Sequence, residues 1–300
     1  MASPELQSVL TMLADGGPVR GETFAEQRAN LEVALAGMPL ADDVRVDPTE
    51  VGGVAAEWTT VPGSRPDRVL VYLHGGGYCI GSVRSHRLLV ADLARAARAR
   101  ALSLDYRLAP EHPHPAAVDD AAAAVRALIA SGVPAPSIAV AGDSAGGGLT
   151  VATLLALRDA GDPLPAAGAC LSPWFDLALS GESIRTRASL DPVCNEPMLR
   201  RMADAYLGGA DAEAPLASPI HADLAGLPPL LVQVGTAEIL YDDASRFADR
   251  ARSARVDVTF EPWEDMIHVW HAYALLLPEG QRAIERVGAF LAGHLQRRAA

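Results

Sequence analysis

Lysine is missing from this chain: all 25 basic residues among its 300 are arginine. That absence excludes a serine–lysine dyad, a Schiff-base lysine and the lysine of a phosphate-gripping P-loop. Cysteine is nearly as scarce. Cys79, Cys170 and Cys194 stand far apart, a usage that makes neither a disulfide framework nor a zinc site and fits free thiols in a reducing cytosol. Aromatic residues are only 5%, so a core has to be built from Ala, Leu and Val. No apolar run reaches transmembrane length; the best candidate, Leu149 to Leu157, is broken by threonines and runs into Arg158 and Asp159. The first ten residues, MASPELQSVL, lack the basic-then-apolar order of a secretory signal. The expected location is cytoplasmic. A formal net charge of −12 argues against nucleic acid or an anionic membrane surface as a partner.

What is present is half a chain of apolar residues, enough for one large core. Residues 4–14 and 23–37 place apolar side chains at helical spacing (Phe24, Leu31, Val33, Leu35), predicting two amphipathic N-terminal helices. Strands are expected at 44–46, 55–61 and 68–73, the last a β-branched and apolar run of the buried kind. Helices at 84–98, 116–130, 146–160, 242–254 and 280–297 then alternate with strands at 100–104, 137–142, 166–171, 230–234 and 256–261. Such βα alternation implies a mostly parallel sheet covered on both faces. Residues 174–224 interrupt it with turn-rich sequence and one helical piece near 197–207. The expected organisation is a single domain over 1–300, with a cap made from about 1–45 and an insertion at about 180–220.

Between a strand and a helix stands Gly142-Asp143-Ser144-Ala145-Gly146, a G-x-S-x-G pattern. A serine forced into a tight strand-to-helix turn projects its hydroxyl above the sheet edge. The residues two before and two after it then face other backbone closely, where a Cβ would clash. The following helix aims its amide end at any developing oxyanion. His74-Gly75-Gly76-Gly77-Tyr78, directly after strand 68–73, is a second glycine-rich loop whose amides can face a cavity.

HGGGY, then DYRLAPEHPHPAAVDDA from Asp105 to Ala121, then GDSAGG, in that order, resembles the hormone-sensitive-lipase-like (bacterial family IV) carboxylesterases of the α/β-hydrolase superfamily. The resemblance runs from about residue 40 to the C-terminus. It implies an α/β-hydrolase fold, with an eight-stranded, mostly parallel sheet, helices on both faces and a helical cap. It also implies oxyanion donors at the backbone amides of Gly76, Gly77 and Ala145. His74 would be structural, and Asp105, Tyr106, Arg107 and Glu111 would brace the elbow. Relatives often pair through the edge of the sheet, so a homodimer stays open.

An activated serine needs a histidine to take its proton and a carboxylate to orient that histidine, in the chain order Ser, acid, His. Four histidines lie downstream, and His268, in a loop after strand 256–261, is the expected base; His271, three residues on, is the rival. The acid is expected after strand 230–234. Glu238 holds that place, where many relatives carry aspartate, and Asp242 and Asp243 are rivals at a helix start. With Ser144, these groups predict hydrolysis of short- to medium-chain carboxylic esters through an acyl-enzyme, without metal or organic cofactor. Lactone or aryl-ester hydrolysis by the same groups is the alternative. A small-molecule receptor on a dead hydrolase scaffold would be expected to have lost one of them. Candidate pocket walls are Tyr78, Trp174, Phe175, Met198, Leu199, Met202, Tyr206 and Ile267, with Met38 and Leu40 from the cap.

Overall fold

Alternate residues of the central strands fall into two separate cores. In the strand Arg65–Leu73, Val69, Val71 and Leu73 pack on one side of the sheet and Leu70 and Tyr72 on the other. In Ile138–Asp143, Ile138 and Val140 share the first side, Ala139 and Ala141 the second. A strand buried on both faces has no polar side to show, which explains its continuous apolar run.

The computed structural model describes residues 3–14, 19–36 and 38–295. Two N-terminal helices, α1 (Pro4–Ala14) and α2 (Phe24–Leu31), precede a hairpin of β1 (Arg45–Val51) and β2 (Val54–Thr60). Then come β3 (Arg65–Leu73), α3 (Arg87–Ala97), β4 (Ala99–Leu104), α4 (Ala116–Ala130), β5 (Ile138–Asp143), α5 (Ala145–Asp159) and β6 (Ala167–Leu171). A long segment containing α6 (Ser183–Thr186) and α7 (Glu196–Leu207) leads to β7 (Leu230–Gly235), α8 (Tyr241–Ser253), β8 (Val258–Trp263) and α9 (Pro278–His294). The eight strands form one sheet in the order β1-β2-β4-β3-β5-β6-β7-β8, parallel except for the β1–β2 and β2–β4 pairings. Among the described residues no helix is long and apolar enough to cross a membrane, and all three cysteines are buried free thiols.

One face of the sheet carries α4, α5 and α8, whose Val125, Leu149 and Phe247 join the first core. The other carries α3 and α9 through Leu93, Val287 and Leu291. There the strands offer alanines at 99, 101, 139, 141, 167 and 169, and small side chains let helices lie close. Gly288 of α9 sits so tightly on Ala96 of α3 that any Cβ would collide with it.

Element boundaries differ from expectation where local hydrogen bonding intervenes. The helix expected from 84 starts at Arg87, because the Ser82 and Ser85 hydroxyls tie 82–85 into a turn, each accepting the other's backbone N–H at 3.0–3.1 Å. The N-terminal helix opens on a capping box, Thr23 with Glu26, and ends at Leu31 in a single π turn over Glu32–Ala36. The strand expected at 256–261 runs two residues later, and the last two residues of the helix expected to 297 lie outside the described residues.

The segment after β6 is pinned to α8 by a ring stack. Phe175 and Phe247 have centroids 4.0 Å apart, and both are fully buried. Phe247→Ala is expected to cost roughly 3–5 kcal/mol in urea denaturation. A loss under about 1 kcal/mol would show that this stack does not fasten the segment.

Candidate active site

All the predicted reactive side chains stand at the carboxyl ends of parallel strands, where open α/β sheets place their ligands. Ser144 follows β5 with φ 53° and ψ −121°, a backbone conformation that L-residues rarely adopt. The turn is locked from several sides. Ser144 N–H donates to Leu171 O at 2.8 Å, and Ser144 O accepts from Trp174 N–H at 2.9 Å and Gly147 N–H at 3.0 Å. A Cβ on Gly142 would strike Gly146 O and Leu73 O, and one on Gly146 would strike Leu73 O. The absence of side chains at both positions is therefore a steric requirement of the crossing.

The next strand ends supply the carboxylate and the imidazole. Glu238 is fully buried in the loop after β7, and its Oε2 lies 2.9 Å from His268 Nδ1. Its other oxygen accepts from Gly235 N–H at 2.6 Å and Ser172 Oγ–H at 2.7 Å. An ionised carboxylate only accepts, so Nδ1 carries the proton and Nε2 is the nitrogen left for the cavity that Ser144 and His268 both line. The rivals are engaged elsewhere. Asp242 accepts from Ser183 N–H, and Asp243 from Phe175 and Asp176 N–H. His271 Nε2 is 2.8 Å from Gln233 Oε1, and burial presses its pKa down to about 3.

Burial works against a charged His268. The neighbouring Cys194 and Glu238 side chains more than offset that, so its pKa lies well above the ordinary histidine value. Burial raises Glu238, opposed by its bond to His268. Burial also raises Cys194, opposed by the His268 imidazole.

Behind the serine lies a charge cluster that sequence reasoning missed. Asp143 is fully buried, and its Oδ1 accepts from Tyr72 O–H at 2.5 Å and Gly75 N–H at 3.0 Å. Its Oδ2 is 3.5 Å from His86 Nε2. Burial alone would raise Asp143; the His86 imidazolium and the Tyr72 hydroxyl hold it down to about 2. Burial likewise opposes a charged His86, and Asp143 outweighs it, leaving His86 above its ordinary value. One carboxylate thus ties the serine turn to the HGGG loop. The signal was inside the motif itself: an acidic residue at a position with no room for solvent.

The cavity of about 180 Å³ above Ser144 is bounded by Gly76, Gly77 and Ile80 from the glycine loop. Leu31 and Leu35 of α2 and its π turn, and Met198, Leu199 and Met202 of α7, close over it. Among the described residues no group accepts from the amides of Gly76, Gly77 or Ala145. Seven expected wall residues are elsewhere. Tyr78 has φ 61°, which turns its ring inward to stack on Tyr206 at 3.8 Å, so both belong to the core. Trp174 is fully buried with its indole N–H on Asp176 O, and Ile267 packs with Leu6 and Val9 of α1. Phe175 is held in its stack, and Met38 and Leu40 also stand outside the cavity. Of the residues expected to brace the elbow, Tyr106 comes nearest, donating to His74 O at 2.7 Å. Arg107 pairs with Asp120 of α4, and Glu111 pairs with Arg28 of α2.

A depressed carboxylate pKa adds stability that is present above its unfolded value and lost as pH falls through its folded one. Asp143 therefore contributes about 2 kcal/mol that disappears between about pH 4 and pH 2. Asp143→Asn is expected to lower Tm at pH 7 and to flatten the acid side of a Tm–pH curve. An unchanged curve would refute the role of this cluster.

Residues 70–272 match the family described as alpha/beta hydrolase fold. An acetyl-hydrolase from Streptomyces hygroscopicus is 50% identical over 97% of this chain and 97% of its own. A carboxylesterase, NlhH, from Mycobacterium tuberculosis is 31% identical over 95% of each. The crystal structure of an esterase from the bacterial hormone-sensitive lipase family superposes with a TM-score of 0.96 at 52% identity, covering 99% of this chain and 100% of that one. The strand order, the serine turn and these likenesses agree, and the chain belongs to the hormone-sensitive-lipase-like family of α/β-hydrolases.

Proposed function

We propose that this chain is a serine carboxylesterase acting on small, uncharged esters. The observation that carries the reading is the Glu238–His268 contact at 2.9 Å beside a cavity shared by His268 and Ser144. Ser144 attacks the ester carbonyl while His268 takes its proton. The amides of Gly76, Gly77 and Ala145 receive the oxyanion, with the positive end of α5 behind them. His268 then protonates the leaving alcohol, and a water repeats the cycle on the acyl-enzyme. The presence of Ser144, Glu238 and His268 argues against a receptor without turnover, which would be expected to have lost one of them.

The N-terminal residues to about 45 and the insertion at about 180–220 act as the cap, since Leu31, Leu35 and the α7 methionines roof the cavity. Their apolar walls favour an uncharged acyl group. About 180 Å³ is small beside the roughly 300–1,000 Å³ of drug-sized sites, which points to short acyl chains. The name acetyl-hydrolase borne by a relative at 50% identity accords with that size.

On p-nitrophenyl esters from acetate to octanoate, kcat/KM is expected to fall as the chain lengthens. Ser144→Ala should lose about 10⁴-fold or more in kcat. A variant as active as the wild type would remove the serine from the reaction, and a rise toward octanoate would refute the small acyl site.

The base works only when neutral, so activity rises with pH through the His268 pKa, which lies above its ordinary 6.5. The Glu238 carboxylate favours the imidazolium. Glu238→Gln is therefore expected to move the acidic limb to lower pH while kcat drops about 10³- to 10⁴-fold. A limb that stays in place would detach the carboxylate from the base.

A further inference from the structure

One hydroxyl joins the loops that carry the acid and the base. Ser172 is the first residue after β6 and is fully buried. Its Oγ donates to Glu238 Oε1 at 2.7 Å and accepts from Val269 N–H at 3.0 Å, the amide directly after His268. The direction of both bonds is forced, because a carboxylate can only accept and an amide N–H can only donate. Ser172 N–H in turn donates to Gln233 O at 2.7 Å, fixing the residue against the end of β7. Its φ is +46°, in the left-handed region that favours glycine. Three strand ends thus meet at a single oxygen.

We propose that Ser172 is a positioning residue for ester hydrolysis, holding the Glu238 carboxylate and the His268 imidazole in register across the loops after β6, β7 and β8. The proposal deepens the serine-esterase reading and rests on it. Ser172 does not itself line the cavity, so its influence passes through the acid and the base. Without the hydroxyl, Glu238 Oε1 keeps only the Gly235 amide, and Val269 N–H loses its acceptor. A buried carboxylate with one donor fewer attracts a proton on its partner more strongly. The other titratable groups near that imidazole are Cys194, Tyr273 and His271, with Asp191 acting on Glu238. Ser172 contacts none of their side chains, so its removal acts on the Glu238 side of the pair.

Ser172→Ala removes the hydroxyl and leaves the strained backbone, whereas Ser172→Gly removes both. Each is compared with the wild type and Ser144→Ala for kcat, KM and the pH–rate profile on p-nitrophenyl acetate, with thermal unfolding alongside. Both Ser172 variants are expected to lose about tenfold in kcat, to keep KM within about twofold, and to show the acidic limb at higher pH. A purely structural hydroxyl would change Tm and leave the limb in place. Ser172→Gly relieves the backbone, so it keeps the test alive if the alanine variant folds poorly. A glycine variant with wild-type kcat and pH profile, alongside an inactive Ser144→Ala, overturns this inference alone. Activity in Ser144→Ala overturns the esterase reading beneath it.

Discussion

The tight crossing between the end of β3 and the turn at Ser144 is the constraint on which the rest depends. Two backbones cross where Gly142 and Gly146 meet Leu73, and a single extra carbon on either glycine has nowhere to go. That crossing forces Ser144 into φ 53° and lifts its oxygen clear of the sheet. It also brings the HGGG loop, which continues from β3, alongside the head of α5. Strain of about 1–3 kcal/mol at such a residue persists only where its surroundings over-determine it. Here four backbone hydrogen bonds to Ser144 do so.

Electrostatics then divides the site into two buried pairs with different tasks. Asp143 with His86 borders the cavity beside the turn, is tied to the glycine loop through Gly75, and serves architecture. In the second pair His268 reaches the cavity and Glu238 is buried behind it, the arrangement that the proposed proton transfer uses. Burying a charge is tolerable only when it is paired and hydrogen-bonded. Asp143 has Tyr72 and Gly75 besides its histidine, and Glu238 has Ser172 and Gly235 besides its own. Each carboxylate is thus neutralised by an imidazole and solvated by fixed dipoles in place of water.

Much of this was legible in the residues. Alternation of apolar runs with helical periodicity gave the mostly parallel sheet, since strands buried on both faces and amphipathic helices leave different periods. The serine turn was legible because its glycines answer to sterics, which leaves a pattern in sequence. Pocket walls were not. Tyr78 and Tyr206 look like a ligand platform in sequence, yet a positive φ at Tyr78 sends its ring into the core. Whether a large apolar side chain faces core or cavity is set by tertiary packing, and composition says nothing of it. Ser172 was hidden for a related reason. A lone serine after a strand has no pattern, and its partners lie 66 and 97 residues away.

The layer of α3 and α9, sealed through Gly288 and Ala96, contributes no side chain to the cavity; only His86, at the head of α3, touches it. The molecule therefore keeps these helices on one face of the sheet and its reactive groups at the carboxyl ends of the strands. Resistance to heat and choice of ester are, in consequence, separable traits: the rear helices can be recomposed for the first without disturbing the second.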